Sequence, residues 1–126
     1  MTNTQRIEIV VGETVLAAEL NDSETSRQIA SALPITATGN RWGDEIYFSI
    51  AVRCPAADDA RAEFAVGELG YWPPGNAFCI FFGPTPASTD QTPLMADPGN
   101  PIGRIVGDVA PLKATKSNVP VTIRKA

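Results

Sequence analysis

Apolar and polar residues alternate with a period of two along most of this chain, the spacing of strands that bury one face. Ile7, Ile9 and Val11 share one side, with Glu8 and Val10 between them. Leu16, Ala18 and Leu20 repeat the pattern around Ala17 and Glu19. Gly12-Glu13 separates the two runs and predicts a hairpin with a short turn. Residues 45–53 form the clearest strand: Ile46, Phe48, Ile50 and Val52 on one face, Tyr47, Ser49, Ala51 and Arg53 on the other. Short strands are expected over 35–38, 64–66, 70–72, 77–82 and 102–109. A last strand is expected where Val119, Val121 and Ile123 alternate with Pro120, Thr122 and Arg124.

The strand at 77–82 is unusual. Ala77, Cys79 and Phe81 face one way, Phe78, Ile80 and Phe82 the other, and both sets are apolar. It needs cover on both sides, which a barrel interior and an external helix or loop would supply. One helix is expected. Asn21-Asp22-Ser23 with Glu24 is a helix-start signature, in which a side-chain oxygen takes an orphan backbone N–H and the Glu reaches back. The helix runs over 25–33 with Ile29 and Leu33 on one face, and Pro34 ends it. Gly39-Asn40 is read as a turn, 55–61 as a loop or one helical turn, and 83–101 as a long loop of the kind that often carries function. Gly103 and Gly107 suggest a bulge or a close backbone approach. Together these elements predict a mainly β fold: a small closed β-barrel with one short α-helix, a single domain over 1–126.

Composition narrows the function classes. A chain of 126 residues is one domain and can bury a core without staples. Net charge is −4 and no segment concentrates Lys or Arg, so no nucleic-acid partner is expected. No basic start leads into an apolar stretch, and the longest strictly apolar run is 77–82, so a cytoplasmic protein with neither signal peptide nor membrane span is expected. There are two cysteines and no histidine. That excludes histidine-based nucleophile systems and imidazole metal ligands. No metal and no cofactor is expected. Cys79 reads as an inert core thiol and Cys54, before Pro55, as the more exposed one.

Several ordered motifs carry a family resemblance. They are Trp42-Gly43-x-Glu45-Ile46-Tyr47-Phe48, Gly67-x-x-Gly70-Tyr71-Trp72-Pro73-Pro74-Gly75, Phe81-Phe82-Gly83-x-Thr85-Pro86 and Ile102-Gly103-x-Ile105. Over nearly its whole length the chain resembles the small prokaryotic cyclophilin-like family, formerly a domain of unknown function. The resemblance implies a cyclophilin-like β-barrel smaller than a true cyclophilin, and implies no known activity. The Phe-His-Arg and Gln-Phe-Phe active-site segments of cyclophilins have no counterpart here.

Candidate chemistry gathers at three places. Arg41, Trp42, Glu45 and Tyr47 crowd one strand mouth, and Arg53 shares the Tyr47 face by parity, so they can line one groove; the competing reading is an ordinary strand entry. Trp72 leads the Pro73-Pro74-Gly75 turn, in which Gly75 is expected to take the positive φ. A stiff turn there either just joins two strands or holds the indole at a cleft rim. Phe82 and Thr85 open the long loop, as ligand contacts or as core plug and loop anchor. Asp44 and Glu45 are adjacent and point to opposite faces, a poor acid–base pair. The leading reading is a binding module for a peptide segment or small ligand beside Trp42, Tyr47 and the 83–101 loop. One alternative is a weak peptidyl-prolyl isomerase with Arg41 or Arg53 donating to the amide nitrogen. Against it, the parity of Phe48 places that ring in the core. The other alternative is a structural protein that pairs by a strand edge as a homodimer.

Overall fold

The first hairpin forms where the alternation predicts it. In the computed structural model, which describes residues 4–126, β1 (Gln5–Val11) pairs antiparallel with β2 (Thr14–Leu20), and Gly12 turns the chain at φ +59°. The remaining elements are α1 (Glu24–Ser31), β3 (Ile35–Arg41), β4 (Glu45–Ser49), β5 (Arg61–Glu63), β6 (Glu68–Trp72), β7 (Ala77–Phe81), β8 (Leu94–Ile105) and β9 (Val119–Lys125). Short 3₁₀ turns lie at Pro73–Gly75 and Ala110–Ala114. The strands run in the order β2-β1-β9-β3-β4-β7-β6-β8-β5, and a further pairing of β2 with β8 closes the sheet into a ring. Among the described strands, only β5, hung on the outer part of β8, stands outside it.

The ring encloses the main core. Ile7, Ile9, Leu20, Ile46, Phe48, Leu69, Tyr71, Phe78, Ile80 and Ile123 are all buried there, from strands all round the sheet. Each such side chain contributes about 1.5–3 kcal/mol of burial. The helix adds Ile29 to the same core, and Leu33 packs against it. Its N-cap is Ser23, whose Oγ accepts from the Ser26 N–H at 3.2 Å. Asn21 acts one step outside the cap: its Oδ1 accepts from Ser23 N–H at 3.1 Å and from Ser26 Oγ at 2.7 Å. The cap therefore sits two residues beyond the Asn21 position that the Asn21…Glu24 spacing suggests. Ser26 Oγ also lies 2.8 Å from Ile102 O, so that its one proton is shared between two acceptors, and Asn100 Nδ2 donates to Thr25 Oγ1 at 3.0 Å, which ties α1 to β8.

Several local expectations change, among them the ends of α1, at Ser31, and of β8, at Ile105. Gly39-Asn40 is no turn; β3 runs on to Arg41, and the chain reverses at Gly43, φ +61°. Gly39 is required by crowding instead: a Cβ there would meet Ile46 Cγ2 at 2.9 Å and both Val119 and Val121 at 3.1 Å. Ladder pairing in β4 stops at Ser49, although Ile50, Val52 and Cys54 keep their alternate burial. Cys54 is thus buried, with its N–H donating to Tyr71 Oη at 3.1 Å. The strand expected at 64–66 lies three residues earlier, at Arg61–Glu63, and Phe64 packs as core instead.

One further change matters most for the cavity. Residues 94–101 belong to β8, so the loop is much shorter than 83–101. Pro98 hides the strand from its sequence. It is exposed, and falls within the register shift between the Arg61–Gly99 and Glu63–Leu94 pairs, where no ladder N–H is needed. Gly103 does mark a close approach, as expected: a Cβ there would collide with the carbonyl of Glu19 on β2.

Candidate functional site

β7 is buried along its whole length and serves two cores. Phe78 and Ile80 point into the ring, where Phe78 stacks on Phe48 with centroids 5.4 Å apart. Ala77, Cys79 and Phe81 point outward into a second, smaller core with Phe64 and Met95. Phe64 stacks on Phe81 at 4.8 Å, and Tyr47 and Trp72 pack at the margin. The cover that the two-faced strand requires is therefore a layer of chain, Phe64 together with the first half of β8. Gly70 lets that layer come close, since a Cβ there would lie 2.8 Å from Met95 Cε and 3.0 Å from the Phe64 ring.

The outer layer does not cover the sheet completely. A half-open cavity of about 280 Å³ remains, lined by Trp42, Glu45, Tyr47, Trp72, Cys79, Met95 and Ala96. The sheet register brings these residues together. Tyr47 pairs with Cys79 across β4 and β7, and Glu45 stands two residues along on the same face. Trp72 ends β6, where it pairs with Ala77. Its indole Nε1–H donates to Asp97 Oδ2 at 3.2 Å. The Pro73–Gly75 turn fits beneath that ring: a Cβ on Gly75 would lie 2.7 Å from Trp72 Cζ3. The positive φ falls on Asn76 at 48°, not on Gly75, and the Trp72–Pro73 bond is trans.

Glu45 is the chemical centre of the cavity. Its residue is 4% exposed, and among the described residues its Oε1 is the one buried side-chain oxygen or nitrogen with no hydrogen-bond partner in the protein. Burial pushes its carboxyl up from 4.5 to about 7, against a smaller downward pull from the Cys79 thiol beside it. The same burial, reinforced by the neighbouring Glu45, holds the Cys79 thiol well above its ordinary value and so protonated at neutral pH. The cavity thus presents one carboxyl with an unpartnered oxygen, one neutral thiol and three aromatic side chains. Among the described residues, no lysine or arginine lines it.

Of the side chains singled out from the sequence, Trp42, Glu45, Tyr47 and Trp72 meet in this cavity. The other four lie elsewhere. Arg41 turns away: it pairs with Asp44 at 2.7 Å, donates to Gly43 O and Thr115 O, and lies over the Phe82 ring. Arg53 is exposed beyond the end of β4, so the parity that relates it to Tyr47 does not carry it to the cavity. Phe82 is buried in the ring core. Thr85 is buried as an anchor, its Oγ1 donating to Leu94 O at 2.6 Å. Met95 and Ala96 line the cavity from a stretch read as loop; the apolar triplet Leu94-Met95-Ala96 inside a polar segment was the available signal.

A single closed antiparallel sheet with one short helix packed on it defines a small mainly β domain. The chain matches the family described as Cyclophilin-like over residues 5–124, and belongs to that family. It is also similar to a hypothetical protein from Archaeoglobus fulgidus known from its solution structure. The two are 38% identical, with a TM-score of 0.85, over 100% of this chain and 98% of that one. No curated protein matches the chain. Among the described residues, no helix is long and apolar enough to cross a membrane, and no group of three or more His, Cys, Asp or Glu gathers as a metal site would.

Proposed function

We propose that this chain is a binding module that holds a small ligand in the Glu45 cavity. The observation that carries the reading is the buried, unpartnered Glu45 Oε1 on the wall of an apolar cavity. Leaving such an atom unpaired costs about 1–3 kcal/mol, and a ligand with a hydrogen-bond donor recovers that cost on binding. The remaining walls suit the role: pockets for small molecules combine aromatic and apolar surface with a few placed polar groups. At about 280 Å³ the cavity is near the lower end of the ligand-pocket range, which favours a small molecule, or one side chain of a peptide, over a longer segment. The isomerase alternative gains no support here, because neither Arg41 nor Arg53 lines the cavity.

The test is a fragment screen by NMR, reading the indole N–H signals of Trp42 and Trp72 in the wild type and in Glu45→Gln. Binding at this site shifts both indole signals, and the substitution changes the affinity of those fragments. Fragments that shift only signals remote from both tryptophans would place any ligand site elsewhere.

A further inference from the structure

The walls of the cavity also select among ligand chemistries. Resting on the binding reading above, we infer that the occupant is an organic ammonium ion, a protonated amine with a compact apolar body, whose N–H donates to Glu45 Oε1 while its charge lies among Trp42, Tyr47 and Trp72. Four observations converge on a cation. First, once the carboxyl is ionised the orphaned atom is an acceptor only, and its partner is then a donor; a cationic N–H makes the stronger, charge-assisted bond and favours that ionised form. Second, two indoles and a phenol share one small cavity, and aromatic faces attract cations, tryptophan most strongly. Third, among the described residues no lysine or arginine lines the cavity, so an anionic ligand has no counter-charge there. Fourth, the nearby positive groups are already engaged: Arg41 and Lys113 both pair with Asp44.

Around Glu45 the titratable neighbours are few. The Cys79 thiol, held protonated by burial, faces it from β7, and the Tyr47 phenol shares its face of β4. At the mouth, Asp97 accepts from Trp72 and adds negative charge on the β8 side. An ammonium ion therefore enters an environment with one carboxyl to ionise and no fixed cation to displace. Met95 and Ala96 supply the apolar wall for its body.

The test compares one ring with three head groups: cyclohexylamine, cyclohexanol and cyclohexanecarboxylate. Isothermal titration and the indole N–H signals of Trp42 and Trp72 report binding. The amine binds at least about tenfold more tightly than the alcohol, a difference of about 1.4 kcal/mol, and the carboxylate does not bind. Amine affinity rises about tenfold between about pH 6 and about pH 8, as a carboxyl titrating at about 7 ionises, and binding near pH 6 releases protons. Glu45→Gln loses both the preference and the pH dependence while still admitting cyclohexanol, which separates lost recognition from lost folding. A capped lysine (Nα-acetyl-lysine N-methylamide) is the arm for an amine carried on a peptide; binding as tight as the free amine assigns the ammonium to a protein partner. Equal binding of amine and alcohol, or an unchanged Glu45→Gln, overturns the ammonium reading and leaves the cavity as a binding site. Failure of every probe to move either indole overturns both readings.

Discussion

The two faces of β7 are built from similar residues and do different work. Inward, Phe78 and Ile80 join the large core that the ring encloses. Outward, Cys79 and Phe81 meet a thinner layer that packs over part of the sheet and leaves Glu45 in a cavity without a partner for Oε1. The closed sheet, with Ile29 of α1 and Ile50, Val52 and Leu112 beyond the strands, completes the inner core, and the outer apolar face is left to pack separately. The inner face sets the fold, and the outer face holds the Glu45 cavity.

The largest effect should come from breaking the inner face. Phe78→Ala removes a fully buried ring stacked on Phe48 and should cost about 3–5 kcal/mol in chemical denaturation. A loss below about 1 kcal/mol would contradict an inner core that the ring encloses.

The next effect belongs to the outer face and depends on pH. The folded pKa of Glu45 lies above its unfolded value, so the folded state holds the extra proton between about 4.5 and about 7. Stability therefore falls as pH rises through that window, by about 3 kcal/mol if the whole shift is expressed. Glu45→Gln abolishes this slope and makes the protein more stable than wild type above about pH 7. Thermal denaturation across pH checks it; identical slopes in the two proteins would contradict the assignment.

Two smaller changes sharpen the contrast. Gly70→Ala pushes a methyl group against Met95 and Phe64 and should cost about 1–3 kcal/mol by overpacking the outer layer. The Trp72 indole signal should move, while amide exchange in β1 and β9 stays unchanged. Asp97→Ala removes one exposed hydrogen bond and should cost less than about 1 kcal/mol. Its readout is a shift of the Trp72 indole N–H without change at Trp42.

Much of the inner face is legible in the sequence, because a strand with one buried side writes its register as alternation. Ile7, Ile9, Val11, Leu16, Ala18, Leu20, Ile46, Phe48, Val121 and Ile123 all fall on the buried side expected of them. Closure of the ring is legible only indirectly, through many short strands and the turns between them. The outer face is harder to read. Its cover comes from Phe64 and from Met95, and proline and glycine around the β8 bulge disguise that segment as loop. Parity correctly puts Glu45 and Tyr47 on one face and fails for Arg53, because the ladder ends at Ser49. The state of Glu45 is not a property of its neighbours in sequence; it depends on Cys79 and Met95 arriving from other strands.

A site-resolved titration of the Glu45 carboxyl carbon by NMR tests the central claim most directly. A midpoint near 7 is the expected result, for an acid buried without a full set of partners on the outer face of the sheet. A midpoint near the ordinary 4.5 would mean that this carboxyl is solvated, and that the outer face carries no such site.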